Sequence, residues 1–434
     1  MRGKDTKRTF FMYLSYECSA LEEYLEKMAE KGWLLKSTRG GFFKFRKIGI
    51  RKIKYSVDVL DRVSVFDHKD SDVALEYRKY CEAAGWNYIC EDGNVQIFYT
   101  EGDKDIISIH TDEEEKFKGI FKYSIKVIIG QILLIILFVF SMYEQLTNNA
   151  ELLLATNIGI FLLTLMFSVI LMNCIGIISF YIWVIKAKGR VKSNKQMPYN
   201  SYKHLKIKNI LIRGYYLILI FTFVTAFVFD IPGSSKFNIP MVLIMLIPLI
   251  ILIWAKKFTD KNRYSKDSNI LIFISGLLVS LAVCIILSYI FVFKINTNIK
   301  PSEVPTEKAS LTIMDFGYKK NEEKNSYIEF DKSILAQRIK YSYKSGDNYL
   351  DYTIFESKYP LLIKLQENSQ VSKYKHINFK HEKTNLPGNI RVYVGGEIKN
   401  FFVLVSEDKV IFIVKGVSGI SEDEFLNMTY KKLF

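Results

Sequence analysis

Long apolar runs between residues 123 and 293 constrain this chain more than any other feature. A bilayer core about 30 Å thick is crossed by about 20 apolar residues in a helix. Five runs are predicted to be transmembrane spans: residues 123–142, 152–185, 210–229, 239–255 and 270–293. Polar sequence lies on both sides of this region. We therefore predict a multi-domain membrane protein, with a helical bundle at 121–293 between two folded domains.

The second apolar run, residues 152–185, is unusually long. Its 34 residues form a helix of about 51 Å at about 1.5 Å per residue, more than one untilted span requires. A turn at Asn173–Gly176 would divide it into two spans. We favour one long helix whose end at Phe180–Trp183 lies in the aromatic belt of the interface. Two spans remain the open alternative.

Positive charge in the loops predicts the orientation. Residues 186–209 hold eight Lys and Arg and residues 256–269 hold five, whereas residues 143–151 hold none and residues 230–238 hold one. Short loops rich in Lys and Arg stay in the cytoplasm. The sequence therefore predicts a multi-pass protein of the cell membrane, with a cytoplasmic amino terminus and, after five spans, an extracytoplasmic carboxyl-terminal domain.

The same charges argue against nucleic acid as a partner. The formal net charge is +15, but residues 1–122 carry 22 basic and 22 acidic side chains. Binding to phosphates needs a basic surface, so the neutral amino-terminal domain is a poor candidate. The bilayer and a cytoplasmic protein are the predicted partners, and self-association into a homo-oligomer stays open.

The amino-terminal domain, residues 1–120, contains a candidate internal repeat. Residues 21–46 align with residues 74–99 at an offset of 53, so that Gly32–Trp33 matches Gly85–Trp86. Each copy has an amphipathic helix, a glycine that ends it, a strand, a glycine turn and a second strand. With strands at 9–15 and 52–60, this predicts a duplicated β-α-β-β unit: one antiparallel α+β sheet with two helices on one face.

Four aromatic residues in matching positions of the two copies are candidates for lining a ligand cavity. They are Trp33, Trp86, Tyr24 and Tyr77. Aromatic side chains dominate protein cores, so packing between helix and sheet is the preferred interpretation. A cavity between helices and sheet, as in some bacterial effector-binding domains, is the functional alternative.

The carboxyl-terminal region is predicted to be a linker, residues 294–310, followed by an α+β domain, residues 311–434. Residues 337–343 and 349–356 are predicted to pair as strands, and Pro360 begins a helix that extends to residue 374. Further strands are predicted at 390–394, 401–406 and 409–414. Ser421, with Glu424 three residues on, predicts the capping box of a last helix.

No catalytic or metal-binding pattern is found in the sequence. Phosphate-binding loops, zinc-protease motifs and nucleophile elbows are absent, and the five cysteines contain no CxxC pair. The prediction is a protein that is not an enzyme, with no cofactor and no metal.

Three segments carry a resemblance to a known family: Phe10–Leu35, Phe43–Val59 and Glu76–Trp86. They resemble an uncharacterised family of multi-pass membrane proteins from Gram-positive bacteria, whose amino-terminal segment is a domain of unknown function. Genes of this family often lie beside those of PadR-type transcriptional regulators. The resemblance implies a PadR-type regulator as a partner, and it implies no catalytic residues.

Two functional hypotheses follow. The preferred one is a non-enzymatic sensor or regulator that links the extracytoplasmic domain to a cytoplasmic domain that binds a partner or a ligand. The alternative is an accessory or permease-like component of a small-molecule exporter. Five spans without inverted repeats argue against autonomous transport.

Overall fold

The fold is given by a computed structural model. It describes residues 5–64, 66–101, 109, 112–193, 195–198, 200–229, 247, 250–259, 262, 264–298, 310–318, 326–345, 348–397, 399–417 and 419–434. Two compact units are present. Unit 1 comprises Met1–Ile135, Leu171–Ile218 and Met245–Ile285, and unit 2 comprises Ile136–Ile170, Leu219–Ile244 and Ile286–Phe434.

The amino-terminal domain of unit 1 consists of two β-α-β-β copies. The first is β1 (Thr6–Phe10), α1 (Cys18–Ala29), β2 (Trp33–Arg39) and β3 (Phe42–Lys47); the second is β4 (Ile53–Val59), α2 (Asp72–Ala83), β5 (Asn87–Asp92) and β6 (Val95–Glu101). Each copy has its own three-stranded antiparallel sheet, in the order β1-β3-β2 or β4-β6-β5. The α+β class is confirmed, and the single sheet that we predicted is wrong.

Backbone details support the duplication at the predicted offset. Gly32 and Gly85, which end the two helices, both have positive φ (80° and 91°), and so do Gly40 and Gly93 in the two hairpin turns (55° and 62°). Strands β2 and β5 also have a register shift at equivalent places, between Leu35 and Ser37 and between Tyr88 and Cys90. Only glycine adopts positive φ cheaply, so the repeated glycines reflect one backbone geometry formed twice.

Helix α1 covers the free edge of the second sheet at β4. The backbone N–H groups of Tyr55 and Val57, two residues apart on β4, donate to Glu26 Oε1 (3.3 Å) and Glu22 Oε1 (2.8 Å). Side chains at i and i+4 of a helix lie one turn apart. The distance between them is close to the distance between alternate N–H groups along a strand. Buried edge N–H groups need such partners.

The first strand ends earlier than predicted. A strand was expected over residues 9–15, but β1 ends at Phe10 and Phe11–Leu14 form a loop. The backbone N–H and C=O groups of Met12 are hydrogen-bonded to the side chain of Asn209, 197 residues further along the chain. The strand ends because its neighbour β3 begins at Phe42, opposite Phe10, so Met12 has no ladder partner and is bonded to Asn209 instead.

The described residues that follow form the helices α3 (Glu113–Asn148), α4 (Ala150–Ala155), α5 (Asn157–Lys192), α6 (Tyr202–Phe229), α7 (residues 250–259) and α8 (Lys266–Asn298). Among the described residues, four helices are long and apolar enough to cross a membrane: α3, α5, Tyr202–Ala226 and Lys266–Val283. Only 6% of the most apolar window is buried in α3 and in α5. Apolar surface of this extent is typical of contact with lipid, in agreement with membrane localisation.

Three predictions concern the bounds of these helices. The long second run has no turn at Asn173–Gly176, so one long helix is confirmed there, but this helix begins at Asn157 and residues 152–155 belong to α4. The predicted span at 239–255 lies largely outside the described residues. The predicted linker is wrong at its start, because residues 294–298 belong to α8; an apolar helix can continue through a short polar segment when no proline or glycine ends it.

The carboxyl-terminal domain of unit 2 is a seven-stranded antiparallel sheet with helices on both faces. Its elements are β7 (Ser326–Lys332), β8 (Gln337–Ser345), β9 (Asn348–Glu356), α9 (Pro360–Lys373), β10 (Lys380–Glu382), β11 (Arg391–Gly395), β12 (Phe401–Val405), β13 (Lys409–Gly416) and α10 (Glu422–Leu433). The strand order is β10-β11-β12-β13-β9-β8-β7. The predicted pairing of β8 with β9 and the cap at Ser421 are confirmed.

Two hydrophobic clusters form the core of this domain, one on each face of the sheet. Phe425 and Leu426 of α10 belong to one cluster, and Ile363 of α9 belongs to the other. The second cluster also includes Ala150 and Leu154 of α4. Ser369 Oγ donates to the carbonyl of Thr147 (2.6 Å), and Ser333 Oγ donates to that of Leu154 (2.6 Å). The domain is therefore bound to the segment between α3 and α5.

Candidate functional site

A cavity of about 380 Å³ lies where the hairpin turns of the two copies meet the beginning of α3. We name it the repeat-junction cavity. Its lining comes from the loop after β1, from both glycine turns, from β6 and from α3: Met12, Tyr13, Ser15, Gly40, Gly41, Asp92, Gly93, Val95 and Tyr123.

The two glycine turns are joined to each other by Asp92. Its carboxylate accepts hydrogen bonds from the backbone N–H of Gly40 (3.0 Å) and from Thr38 Oγ1 (3.4 Å). Gly41 has φ +81°, and a Cβ there would lie 3.2 Å from the carbonyl oxygen of Phe11. The turn therefore approaches the loop after β1 closely, and this approach closes one wall of the cavity.

The polar side chains of the cavity are the carboxylate of Asp92, the phenols of Tyr13 and Tyr123 and the hydroxyl of Ser15. Asp92 is half-buried, and it forms no salt bridge with a described residue. Burial raises the pKa of Tyr13 well above its ordinary value, and the negative charge of Asp92 raises it further. The Tyr13 phenol is therefore neutral at physiological pH. A carboxylate beside aromatic rings favours a cation or an N–H donor over an anion.

The loop that forms one wall of the cavity is bound to two membrane-spanning helices. Asn209 of α6 accepts from the Met12 N–H (Oδ1, 2.6 Å) and donates to its carbonyl (Nδ2, 2.8 Å). Ser15 Oγ is 2.6 Å from Ser124 Oγ of α3. Asn209 is 2% exposed, and buried polar groups are costly without partners. The cavity and the helices thus share the segment from Met12 to Ser15.

The next residues of the same loop contact α5 and α6. The ring of Tyr16 lies 5.4 Å from that of Trp183, which also stacks on Phe117 of α3 (5.7 Å). Glu17 forms a salt bridge with Lys208 (2.7 Å). A displacement of the loop would therefore act on three helices through side chains that are already in contact.

The four aromatic residues proposed from the sequence lie elsewhere. Tyr24 is 7% exposed, stacks on Phe11 with ring centroids 4.1 Å apart and is hydrogen-bonded to Thr9 (2.8 Å). Trp33 is half-buried against the first core, and Trp86 belongs to a small core cluster. The hydroxyl of Tyr77 donates to Asp58. The sequence signal closest to the cavity was the repeated turn, residues 38–41 and 91–94.

Other ionisable groups of this domain have perturbed pKa values but structural roles. Burial raises the pKa of Glu22 to about 7, against the opposing effects of Lys116 and of the Val57 N–H. Burial raises the pKa of Cys90 to about 12, so this thiol is no nucleophile. Among the described residues no group of three or more His, Cys, Asp and Glu could hold a metal ion.

A second cavity, of about 530 Å³, lies beside α9 in unit 2 and is lined by Pro360, Ile363, Lys364, Glu367, Arg391, Ser406 and Glu407. Its buried carboxylate already has partners. Glu367 accepts from Arg391 (2.8 and 3.1 Å) and from the Tyr393 hydroxyl (2.8 Å). The negative charge of Glu367 is balanced by Arg391 within the domain. This cavity is therefore less suitable as a ligand site than the repeat-junction cavity.

Comparison with known proteins gives one family match. Searches of curated proteins and of solved structures returned no match. A family model described as "Protein of unknown function (DUF2812)" matches residues 18–130. The matched segment begins at α1, includes both helices and both glycine turns and ends inside α3. The chain therefore carries a DUF2812 domain of unknown function in its amino-terminal part.

Proposed function

We propose that this chain is an integral membrane protein that acts as a non-enzymatic sensor or regulator. Its amino-terminal domain would bind a small ligand in the repeat-junction cavity and pass the change to the membrane helices. The observation that carries the proposal is the dual role of Met12, which lines the cavity and is hydrogen-bonded through its backbone to Asn209 of α6. A PadR-type regulator or another cytoplasmic protein as recipient of the signal stays a prediction from the resemblance.

The chemistry of the cavity favours an organic cation as ligand. Asp92 provides a carboxylate without a salt-bridge partner among the described residues, and Tyr13 and Tyr123 provide aromatic surface beside it. An ammonium group gains from both, through charge-assisted hydrogen bonds and through attraction to the aromatic faces. The volume of about 380 Å³ lies within the usual range of small-molecule sites.

A thermal-shift experiment on the full-length protein in detergent tests this assignment. Benzylamine and benzyltrimethylammonium are expected to raise the melting temperature, whereas neutral benzyl alcohol is not. A ligand at 100 times its Kd stabilises by about 2.7 kcal/mol. The Asp92→Asn variant should lose the shift, and the control Asp72→Asn, at an exposed residue of α2, should keep it. An equal shift with benzyl alcohol, or a shift retained in Asp92→Asn, would contradict the assignment.

The proposed topology has a cytoplasmic amino-terminal domain and an extracytoplasmic carboxyl-terminal domain. Within unit 1, the amino-terminal domain contacts the basic segment 186–209, through Glu17 with Lys208 and through Glu23 with the N–H of Tyr202 (2.8 Å). Within unit 2, the carboxyl-terminal domain contacts the segment at 143–155 that lacks basic residues, where Gln366 and Gln370 donate to Glu151. Basic segments stay in the cytoplasm, which supports this orientation.

Cysteine labelling of intact cells tests the topology. Cysteine is introduced at Ser310 or at Glu76, both exposed, after Cys18, Cys81 and Cys90 have been replaced by alanine. An impermeant maleimide is expected to label the variant at Ser310 and not the variant at Glu76 until the membrane is permeabilised. Labelling of both variants in intact cells, or of neither, would place the two domains on the same side and overturn the proposal.

A further inference from the structure

The outward face of the first sheet is basic, although the whole amino-terminal domain is neutral. On neighbouring strands β1 and β3, Arg8 lies opposite Lys44 and Thr6 lies opposite Arg46. Residues directly opposite each other project from the same face of a sheet. Arg39 of β2 lies opposite Phe42 of β3 and adds a fourth cation. Four basic side chains therefore share one face.

These cations have no acidic partner within the domain as described. Arg8, Arg39 and Arg46 are exposed and Lys44 is half-buried. None of the four forms a salt bridge with a described residue. Residues 1–122 hold equal numbers of basic and acidic side chains, so the neutrality of the domain conceals a separation of charge. We name Arg8, Arg39, Lys44 and Arg46 the basic face.

One end of the basic face is aromatic. Phe42 is 66% exposed, and its ring lies 4.9 Å from that of Phe10, its partner across the two strands. An exposed phenylalanine beside cations is unusual on a water-facing sheet, but it is typical of surfaces that meet a membrane.

The aromatic end is attached to a helix at the point where that helix becomes apolar. Residues 202–209 of α6 include three lysines, whereas residues 210–229 are mostly apolar and carry no charge other than that of Arg213. The guanidinium of Arg213 donates to the carbonyl of Phe10. Arg213 lies about one helical turn beyond the polar boundary, and a long cationic side chain there extends back towards the interface. This contact brings Phe10 and its neighbour Phe42 to the point of α6 where polar residues give way to apolar ones.

From this placement we infer that the basic face binds the anionic lipid headgroups of the membrane that the chain's own helices cross, with Phe42 inserted at the interface. Arginine binds phosphate oxygens in a bidentate manner, and basic residues near an anionic leaflet are attracted to it. Nucleic acid has the same charge. It is disfavoured because the exposed phenylalanine and the bond to Arg213 both place this face at the membrane.

A quenching experiment on the full-length protein in nanodiscs tests the inference. An environment-sensitive fluorophore is attached to cysteine at Ser37, an exposed residue opposite Lys44 on the same sheet, after Cys18, Cys81 and Cys90 have been replaced by alanine. Spin-labelled headgroups are expected to quench it more strongly in nanodiscs with 30% phosphatidylglycerol than in phosphatidylcholine alone.

The variant that removes the charge is Arg8→Gln/Lys44→Gln/Arg46→Gln, and its control is Lys31→Gln/Arg62→Gln/Lys79→Gln, at exposed residues outside the basic face. The first should reduce the phosphatidylglycerol-dependent quenching by at least about threefold, since each cation is worth about fivefold near an anionic surface. The control should not reduce it.

High salt gives a second test that needs no folded variant. In wild type, 1 M NaCl should reduce the phosphatidylglycerol-dependent quenching as the first variant does, because it shortens the screening length to about 3 Å.

Two results would overturn the inference. One is equal quenching in anionic and neutral nanodiscs. The other is binding of a DNA or RNA oligonucleotide at physiological salt that the triple variant of the basic face loses, which would assign this face to nucleic acid.

Discussion

Replacing Asn209 with leucine is expected to destabilise the amino-terminal unit by about 2–4 kcal/mol. The side chain satisfies the N–H and the C=O of Met12 at a site that is 2% exposed. Leaving a buried donor or acceptor without its partner costs about 1–3 kcal/mol per group. Leucine keeps the branching of asparagine at Cγ but forms no hydrogen bond, and its larger side chain adds a cost of overpacking at this buried site.

Two measurements on the full-length protein check this expectation. The melting temperature should fall, and hydrogen exchange in peptides covering residues 11–17 should become faster. The control is Asn148→Leu, since Asn148 bonds only Glu144 on its own helix α3 (2.9 Å) and should change neither readout. Equal effects of the two leucine variants would mean that Asn209 does not hold the loop. The proposed coupling of the cavity to α6 would then lose its main support.

The features that follow from local sequence were predictable. Apolar runs of about 20 residues predicted α3, α5, α6 and α8, because lipid contact requires nearly every side chain of a span to be apolar. Alternating residues and a glycine turn predicted the β8–β9 hairpin, and Ser421 predicted α10. In each case the signal lies within one element and its caps, where spacing determines the structure.

Features that depend on distant partners were not predictable. Residues 11–14 continue an apolar, aromatic run and looked like strand, but the partner strand β3 begins at Phe42, opposite Phe10, and Met12 is bonded to the distant Asn209. The single predicted sheet is two sheets, and the outer edge of the second, at β4, is covered by Glu22 and Glu26 of α1. Nothing near these glutamates in the sequence marks them as partners of a strand, since both fit the polar face of an amphipathic helix.

In the candidate site, too, local features were predictable from the sequence and contacts between distant residues were not. Trp33, Trp86, Tyr24 and Tyr77 were proposed because large aromatic residues recur in the repeat, and the recurrence reflects core packing. The cavity lies instead where the two repeated turns approach each other, and its carboxylate, Asp92, stands next to one of the repeated glycines. A repeat predicts which positions are equivalent, but it does not predict which of them meet in space.

The two copies differ most in their interiors. At the offset of 53, Leu25 of the first copy corresponds to Arg78 of the second, and Phe43 corresponds to Gln96. Leu25 and Phe43 are buried in the first core. Arg78 is also buried, at 6% exposure, so the second copy has an ion-pair network where the first has apolar contacts.

The guanidinium of Arg78 has partners on every side. It donates to Gln96 (3.0 Å), Asp70 (3.1 Å), Glu91 (2.6 Å) and the carbonyl of Lys69 (2.8 Å). The ring of Tyr88 lies 3.9 Å from its central carbon. The network thus fixes the loop before α2 to β5 and β6. A buried network of this kind stabilises only while it is complete, because each carboxylate depends on the cation.

Substituting Arg78 by methionine is therefore expected to destabilise the domain by about 3–5 kcal/mol, since it leaves Asp70 and Glu91 without their cation. Burial already raises the pKa of Glu91, and loss of Arg78 should raise it further above its value in the unfolded chain. When the pKa of a carboxyl is higher in the folded protein than in the unfolded chain, the folded protein loses stability as the pH rises through that range. The destabilisation caused by Arg78→Met should therefore be smaller at pH 5 than at pH 8. Thermal unfolding of the full-length protein at both pH values measures this difference.

The control is Arg51→Met, which breaks an exposed pair with Glu101 (2.9 Å; Arg51 59% exposed) and should cost less than about 1 kcal/mol. An Arg78→Met penalty as small as that of Arg51→Met, or one that does not change with pH, would show that the network contributes packing rather than charge.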